Sequence, residues 1–300
     1  MREVPPAEWD DTVDAYFRCE YVEASALLEE GGEPIFLEHE GVRLALILRG
    51  EDATSPAGYG GPLGESDDFG PVYDEWCRGR GIVSTFVRFH PLLRNERAWP
   101  FHKEPVAGSV SWRLQGDLLA GMHRHHRRLA RKAEATGVEI AVREAPDDLA
   151  EFAGLYSETM ARADAAAFYF FPDAYWEALV RVPLVLAEAR LDGALVAASL
   201  CLAAPPWLHY HLGASERSGG ANHLLFLEAA RWARDNGYTR FHLGQGVGGA
   251  ADSLLEFKLR FDPGGLLPSA VGKAIHDEDA YRDLGGEGFG GFFPAYRRAA

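Results

Sequence analysis

One arrangement of segments occurs twice in this chain, and it limits the possible folds more than any other feature. In the first half, PIFLEHEGVRLALIL runs from Pro34 to Leu48; in the second, PLVLAEARLDGALVAASLCL runs from Pro183 to Leu202. Each is a proline, an apolar strand, a two-residue turn ending in glycine (Glu40-Gly41, Asp192-Gly193) and a second apolar strand. Two-residue hairpin turns need positive φ, which Asp-Gly pairs adopt readily. Further on, EWCRGRGIVSTFVRF (Glu75 to Phe89) and RWARDNGYTRFHLG (Arg231 to Gly244) share Trp-x-Arg-x-x-Gly followed by a strand. The glycines, Gly81 and Gly237, suit the residue just past a helix, where a left-handed conformation closes the last turn. The order hairpin, helix, strand, repeated at similar separation, argues for duplication. Strands alternating with helices give an α/β fold class.

Bulk properties narrow the function. With 300 residues, 47% of them apolar, the chain is large enough for a substantial core. Its net charge of -15 repels nucleic acid and anionic membranes, so an anionic partner must be met by a local basic patch. Cys19, Cys77 and Cys201 are far apart and form no C-x-x-C pair, so neither a disulfide framework nor a zinc site is expected. The acidic N-terminus does not read as a signal peptide, and no apolar run is long enough to cross a bilayer. A cytoplasmic protein without stable membrane insertion is expected.

Five segments carry candidate chemistry. HLGQGVGGA places Gly244, Gly246 and Gly249 in a G-x-G-x-x-G pattern, but the acidic residue and βαβ unit of a dinucleotide site are missing downstream. GASERSGGANHLLFLEAARW runs from a strand (Leu208 to Leu212) through a glycine-containing loop into a helix. There Gly213, Ser218, Gly219, Gly220 and Asn222 are either an anion-binding loop at a helix N-terminus or an ordinary loop with Asn222 as N-cap. Gly116 to Thr136 reads as one helix rich in arginine, with Arg124, Arg127 and Arg131 along one face and Arg128 and Lys132 beside it. It is either a phosphate- or carboxylate-binding surface or a solvated face. His209 and His211 alternate with Tyr210 on a strand, and no third ligand for a metal is evident. Lys258, in LLEFKLRF, either snorkels from an edge or points its ammonium into a site.

The combination resembles the Fem family of aminoacyltransferases and the related BioF2-like acetyltransferases. The resemblance rests on YGGPL (Tyr59 to Leu63), FVRFHPLL (Phe86 to Leu93), RKAEATGV (Arg131 to Val138) and HYHLGAS (His209 to Ser215). It continues through ARDNGY (Ala233 to Tyr238), FHLGQG (Phe241 to Gly246) and EFKLRF (Glu256 to Phe261), and covers most of the chain. It implies tandem GNAT-like domains, each a mixed twisted sheet flanked by helices. The expected boundaries are residues 1–115 and 137–275 for the two halves, 116–136 for a basic connecting helix, and 276–300 for an irregular tail. It also implies acyl transfer to an amine, from aminoacyl-tRNA to a peptidoglycan precursor or, on the BioF2-like side, from acyl-CoA. The donor is a co-substrate, so no cofactor or metal is expected. A non-catalytic binding module on the same fold is a further alternative.

In residue terms, the lysine of the F-K-x-x-F motif, Lys258, would lie near the acyl carbonyl, and Tyr210 matches the family's cleft position in the second half; these two are the catalytic candidates. Arg127, Arg128 and Arg131 would face a substrate phosphate, and Tyr59 would line the cleft from the first half. His209 and His211 are candidate substrate contacts. The chain departs from the family in three respects. It has no sustained heptad segment for a coiled-coil arm. His90 stands where many Fem sequences have aspartate, and the overall acidity is awkward for tRNA. Only the second half carries Lys258 and the Gly213–Asn222 loop, so the chemistry is expected on the face of Lys258.

Overall fold

The structure is a computed structural model that describes residues 1–9, 13–216 and 219–298. The chain forms two compact units, Met1–Val106 with Pro268–Ala300, and Ala107–Leu267. The first contains β1 (Arg2–Glu3), α1 (Cys19–Ala26), β2 (Glu33–His39), β3 (Val42–Arg49), β4 (Asp52–Thr54), α2 (Phe69–Gly79) and β5 (Ser84–Arg88). Strand β6 (His102–Arg113) carries the chain into the second unit. There follow α3 (Leu118–Gly121), α4 (Arg124–Ala135), β7 (Glu139–Glu144), α5 (Ala150–Arg162), α6 (Asp173–Leu179), β8 (Leu184–Leu191) and β9 (Ala194–Ala204). Strand β10 (Trp207–Ser215), α7 (Ala221–Asp235), β11 (Arg240–Gly244) and α8 (Ser253–Leu259) complete the second unit. Strand β12 (Leu266–Ile275) returns to the first unit, which ends with α9 (Glu278–Asp283).

The duplication extends to strand order. The first unit runs β1-β2-β3-β4-β5-β12 and the second β6-β11-β10-β9-β8-β7. In each, an antiparallel hairpin is followed by a third antiparallel strand, a helix, and a strand parallel to the third. Thus β2-β3-β4-α2-β5 corresponds to β8-β9-β10-α7-β11. A parallel pair needs a crossover, which the helix supplies. The closing strand differs in origin: β12 joins β5 from late in the chain, whereas β6 joins β11 from earlier in it. Both hairpin turns have the expected left-handed pairs, Glu40 and Gly41 at φ 46° and 83°, and Asp192 and Gly193 at 51° and 81°.

Periodicity explains the two cores. In α2, Phe69, Tyr73 and Cys77 recur every fourth residue and face Leu37, Leu44 and Leu46 of the hairpin. In the second unit, Leu225, Ala229 and Ala233 of α7 pack over Val185, Ala187 and Ala189 of β8 and Phe241 and Leu243 of β11. The strand residues alternate, as one buried sheet face requires.

Two expectations about the chain's middle and end are corrected. The arginine-rich stretch is not one connecting helix. It breaks at Met122, whose extended backbone separates α3 from α4, and it belongs to the second unit. Met122, Ala130 and Ala133 are buried there, because α4 needs the face of α7 to cover its own apolar stripe. Residues 276–300 are not a wholly irregular tail: α9 lies within them, and they belong to the first unit. Tyr281 and Phe293 pack on Val83, and Lys273 of β12 pairs with Glu104 and donates to the Phe289 carbonyl. At the end of β12, His276 bridges Asp74 (2.8 Å) and Thr85 (2.9 Å), and Thr85 in turn meets the Tyr73 hydroxyl at 2.8 Å. Among the described residues no helix is long and apolar enough to cross a membrane.

Candidate active site

In the second unit two parallel strands part company. β10 and β11 pair only from Trp207, Leu208 and His209 to Arg240, Phe241 and His242. Beyond His209, β10 continues along β9 alone, with a register shift between Tyr210 and Leu212. A bulge of this kind turns a side chain out of the regular alternation. Here the extra residue is His211, and Tyr210 just before it packs its ring on Phe226 at 5.1 Å and folds back over its own strand. A Cβ on Gly213 would stand 2.1 Å from the Tyr210 hydroxyl oxygen, so position 213 must be glycine for the ring to lie there. Burial raises the Tyr210 phenol well above its usual range, so it stays protonated.

Lys258 reaches the same place from the other side. Asp252 caps α8 by accepting from Leu255 N at 2.8 Å, and also takes Val247 N at 2.8 Å. Phe257 of the short helix and Phe261 just beyond it pack against Phe226, and this aims Lys258 inward. Lys258 is 5% exposed. Its Nζ donates to the Gln245 carbonyl at 2.7 Å and lies 5.2 Å from the centroid of the Tyr210 ring. Among the described residues that carbonyl is its one hydrogen-bond acceptor. An ammonium has three N–H groups, so two find no acceptor among the described residues. Burial pushes the lysine down to about 8, a shift that the charge of Asp252 partly opposes.

The two expected catalytic residues are therefore neighbours, while the other candidates divide. Arg128 and Arg131 are exposed on α4, and neither has an ion-pair partner among the described residues. Arg127 differs: its guanidinium donates to the carbonyls of Ala120 (2.7 Å) and Met122 (2.8 Å), closing the end of α3. Both bonds come from Nη1 and hold the break in the arginine-rich stretch. His209 is fully buried and shares a 3.0 Å contact with His242, Nδ1 to Nδ1, while His242 Nε2 meets the Ser109 hydroxyl. His211 Nε2 meets the Tyr175 hydroxyl of α6 at 2.7 Å, and burial pushes this imidazole down to about 3. The bulge interrupts the alternation that relates the two histidines, and they take separate partners.

The proposed donor loop is shorter than its sequence suggests. Gly213 lies within β10 and makes room for Tyr210. Asn222 is not the N-cap. It sits inside α7 and donates to Ser215 Oγ at 2.9 Å, while Gly220 is the cap at φ 106°. A Cβ on Gly220 would stand 2.6 Å from the Leu129 carbonyl oxygen, so the start of α7 lies directly against α4. Gly219 is exposed, and Ser218 lies outside the described residues. Tyr59 belongs to the first unit, buried and edge-on to Tyr16 (5.2 Å) and His90 (5.5 Å). The G-x-G-x-x-G stretch forms a short turn, Val247–Gly249, ahead of α8, and its Gln245 carbonyl holds Lys258.

Several residues around the site carry little sequence signal. Asp252 is readable as a cap from its position three residues before Leu255. His126 and His223 are far apart in sequence and meet edge to face at 4.4 Å. Ser109 and His242 come together only through the pairing of β6 with β11.

Known proteins share this fold. Residues 120–258 match the model of the acetyltransferase (GNAT) domain family, a stretch that runs from the end of α3 through α4, β10 and α7 to Lys258 itself. The fold of the whole chain is similar to that of FemX, with a TM-score of 0.66 at 14% identity over 94% of this chain and 99% of that one. It is also similar to the C-terminal domain of a putative lysylphosphatidylglycerol synthetase from Agrobacterium fabrum, with a TM-score of 0.59 at 18% identity over 89% of each chain. A tandem GNAT protein from the clavulanic acid biosynthesis pathway gives a TM-score of 0.54 at 12% identity over 91% and 97%. No curated protein matches the sequence. The chain thus has the tandem GNAT fold that the resemblance to the Fem and BioF2-like group implies, and the stretch that matches the GNAT domain model lies in its second unit.

Proposed function

We propose that the chain is an N-acyltransferase that moves an aminoacyl group from aminoacyl-tRNA to an amine, with a peptidoglycan precursor as the acceptor class. The observation that carries this reading is Lys258, a buried ammonium beside Tyr210 with one acceptor for three N–H groups. In the proposed reaction the donor carbonyl lies where the two strands part, and its oxygen accepts from Lys258 Nζ. The neutral amine attacks the carbonyl carbon, and the C=O electron pair moves onto oxygen. The ammonium stabilises that oxyanion, an effect of about 2.7–4 kcal/mol for one preorganised donor. Collapse breaks the ester C–O bond, the ribose oxygen leaves and takes up the proton that the amine nitrogen gives up, and an amide remains. No covalent enzyme intermediate is needed, because the donor is already an activated ester. Arg128 and Arg131 would meet donor phosphates, a local positive surface on a chain of net charge -15. The reaction is placed in the cytoplasm, where the charged donor is found.

A second reading, acyl-CoA as donor, is favoured by the start of α7. Its N-cap, Gly220, has no side chain to cap the first N–H groups, and such a terminus suits a pyrophosphate. One experiment tests both. Purified protein is incubated with charged tRNA or acetyl-CoA and an amine-bearing peptidoglycan precursor, and the acceptor mass is followed. A donor-dependent mass increase that is lost in K258M supports the proposal, and the productive donor chooses between the readings. No transfer from either donor refutes it.

A further inference from the structure

We propose that His126 is a positioning residue for Lys258, tying the last turn of α8 to the basic helix α4. The inference rests on the reading of Lys258 as the oxyanion donor and adds what holds it in place.

α8 has only seven residues, so Lys258 sits in its final turn, where carbonyls lack full helical partners. Two bonds from α4 engage that turn. The backbone N of His123, the residue that opens α4, donates to the Arg260 carbonyl at 2.8 Å. The His126 ring meets the Phe257 carbonyl through Nε2 at 3.0 Å. These contacts fall just before and just after Lys258. A carbonyl only accepts, so Nε2 carries the hydrogen and Nδ1 is left as a bare lone pair. That Nδ1 is buried with no hydrogen-bond partner among the described residues. Burial pushes His126 down to about 3 and His223 to about 4, so both rings are neutral at physiological pH and the link does not titrate there.

Packing adds to the bond. The His126 ring lies 5.0 Å from Phe257, 4.6 Å from Phe261 and 4.4 Å from His223. A histidine 1% exposed with an unsatisfied nitrogen is an expensive way to fill a core. A phenylalanine would fill the space but would not hold the Phe257 carbonyl. The helix it belongs to also carries Arg128 and Arg131, the groups proposed to meet donor phosphate. Seating of the donor on α4 would thereby be felt at the lysine that meets its carbonyl.

Two variants separate the bond from the packing. H126F keeps ring volume and removes the donor; H126Q places an amide N–H at the reach of Nε2. Both are checked by melting temperature. The Lys258 ammonium is then titrated by NMR in lysine-labelled protein, with its signal assigned by comparison with K258M. In H126F the midpoint is expected to rise by about one unit as the loosened turn admits water. The transfer kcat falls on the order of 100-fold, as for about 1 Å of misplacement, with KM nearly unchanged. H126Q restores both. A folded H126F with the wild-type midpoint and kcat overturns the proposal, as does an H126Q that fails equally, since packing alone would then be responsible. If neither donor supports transfer, the NMR midpoint still decides: unchanged in H126F, it refutes the link independently of the reaction. If H126F does not fold, H126Q with a wild-type midpoint supports the bond, and a shifted midpoint contradicts it.

Discussion

Lys258→Met separates what this residue does for the reaction from what it costs the fold. Methionine matches the length of the lysine stem and removes the charge. The lysine is depressed from 10.5 to about 8 by burial, a difference of about 2.5 units. At 1.36 kcal/mol per unit, the folded state bears about 3 kcal/mol of penalty for holding the ammonium. The sign follows from proton uptake. Between about 8 and 10.5 the unfolded chain binds the proton and the folded chain does not, so stability rises with pH across that window. Below about 8 the penalty is present in full. The stability difference, wild type minus K258M, should therefore rise by about 3 kcal/mol from pH 7 to pH 10.5. The Gln245 carbonyl loses its donor in K258M, but that cost is independent of pH and cancels from the slope. Urea unfolding of both proteins across this range is the assay. Over the same comparison, transfer should fall on the order of 10²–10³-fold, the usual cost of one oxyanion donor. Parallel stability curves for the two proteins would refute the buried-ammonium argument, and full turnover in K258M would refute the proposed chemistry.

Other perturbations follow from the same geometry. Transfer by the wild type should decline as pH rises above about 8, where Lys258 deprotonates; a rate–pH profile with no alkaline limb would count against its role. Gly213→Ala should displace Tyr210 and reduce transfer, and adding Tyr210→Phe should recover part of the loss by removing the oxygen that the new Cβ meets; melting curves and turnover of the single and double variants test this. Arg127→Ala should lower stability by about 1–2 kcal/mol, having left two carbonyls without a donor, whereas Arg131→Ala should leave stability unchanged and weaken donor binding in a salt-dependent way. His276→Phe should destabilise the protein by about 1–3 kcal/mol by stripping Asp74 and Thr85 of a shared partner, read by denaturant titration.

What the sequence made legible was local. The hairpin turns and the glycines after α2 and α7 announced themselves because backbone conformation at such positions restricts residue type. Gly81 and Gly237 do adopt the left-handed conformation, at φ 72° and 85°. Lys258 stood out because a lysine among apolar residues needs a reason. The rest depended on pairings between distant segments. Nothing in Leu266 to Ile275 says that this strand closes the sheet of the first unit, since its partner β5 lies far back in the chain. Gly213 read as part of a glycine-containing loop, yet it is the seat of a tyrosine three residues earlier, a relation that exists only once β10 bulges. Arg127 could not be told from Arg128 and Arg131 by spacing. The break at Met122 turns it toward carbonyls that a continuous helix would have satisfied.

The central claim is that an acyl carbonyl lies at Lys258 where β10 and β11 part. A crystal structure with a non-reactive ketone analogue of the aminoacyl ester tests it most directly. The account predicts the ketone oxygen about 2.7–3.1 Å from Lys258 Nζ and beside the Tyr210 ring, with the Gln245 contact kept. An analogue bound with its carbonyl away from Lys258, or Lys258 turned to a carboxylate in the complex, would contradict it.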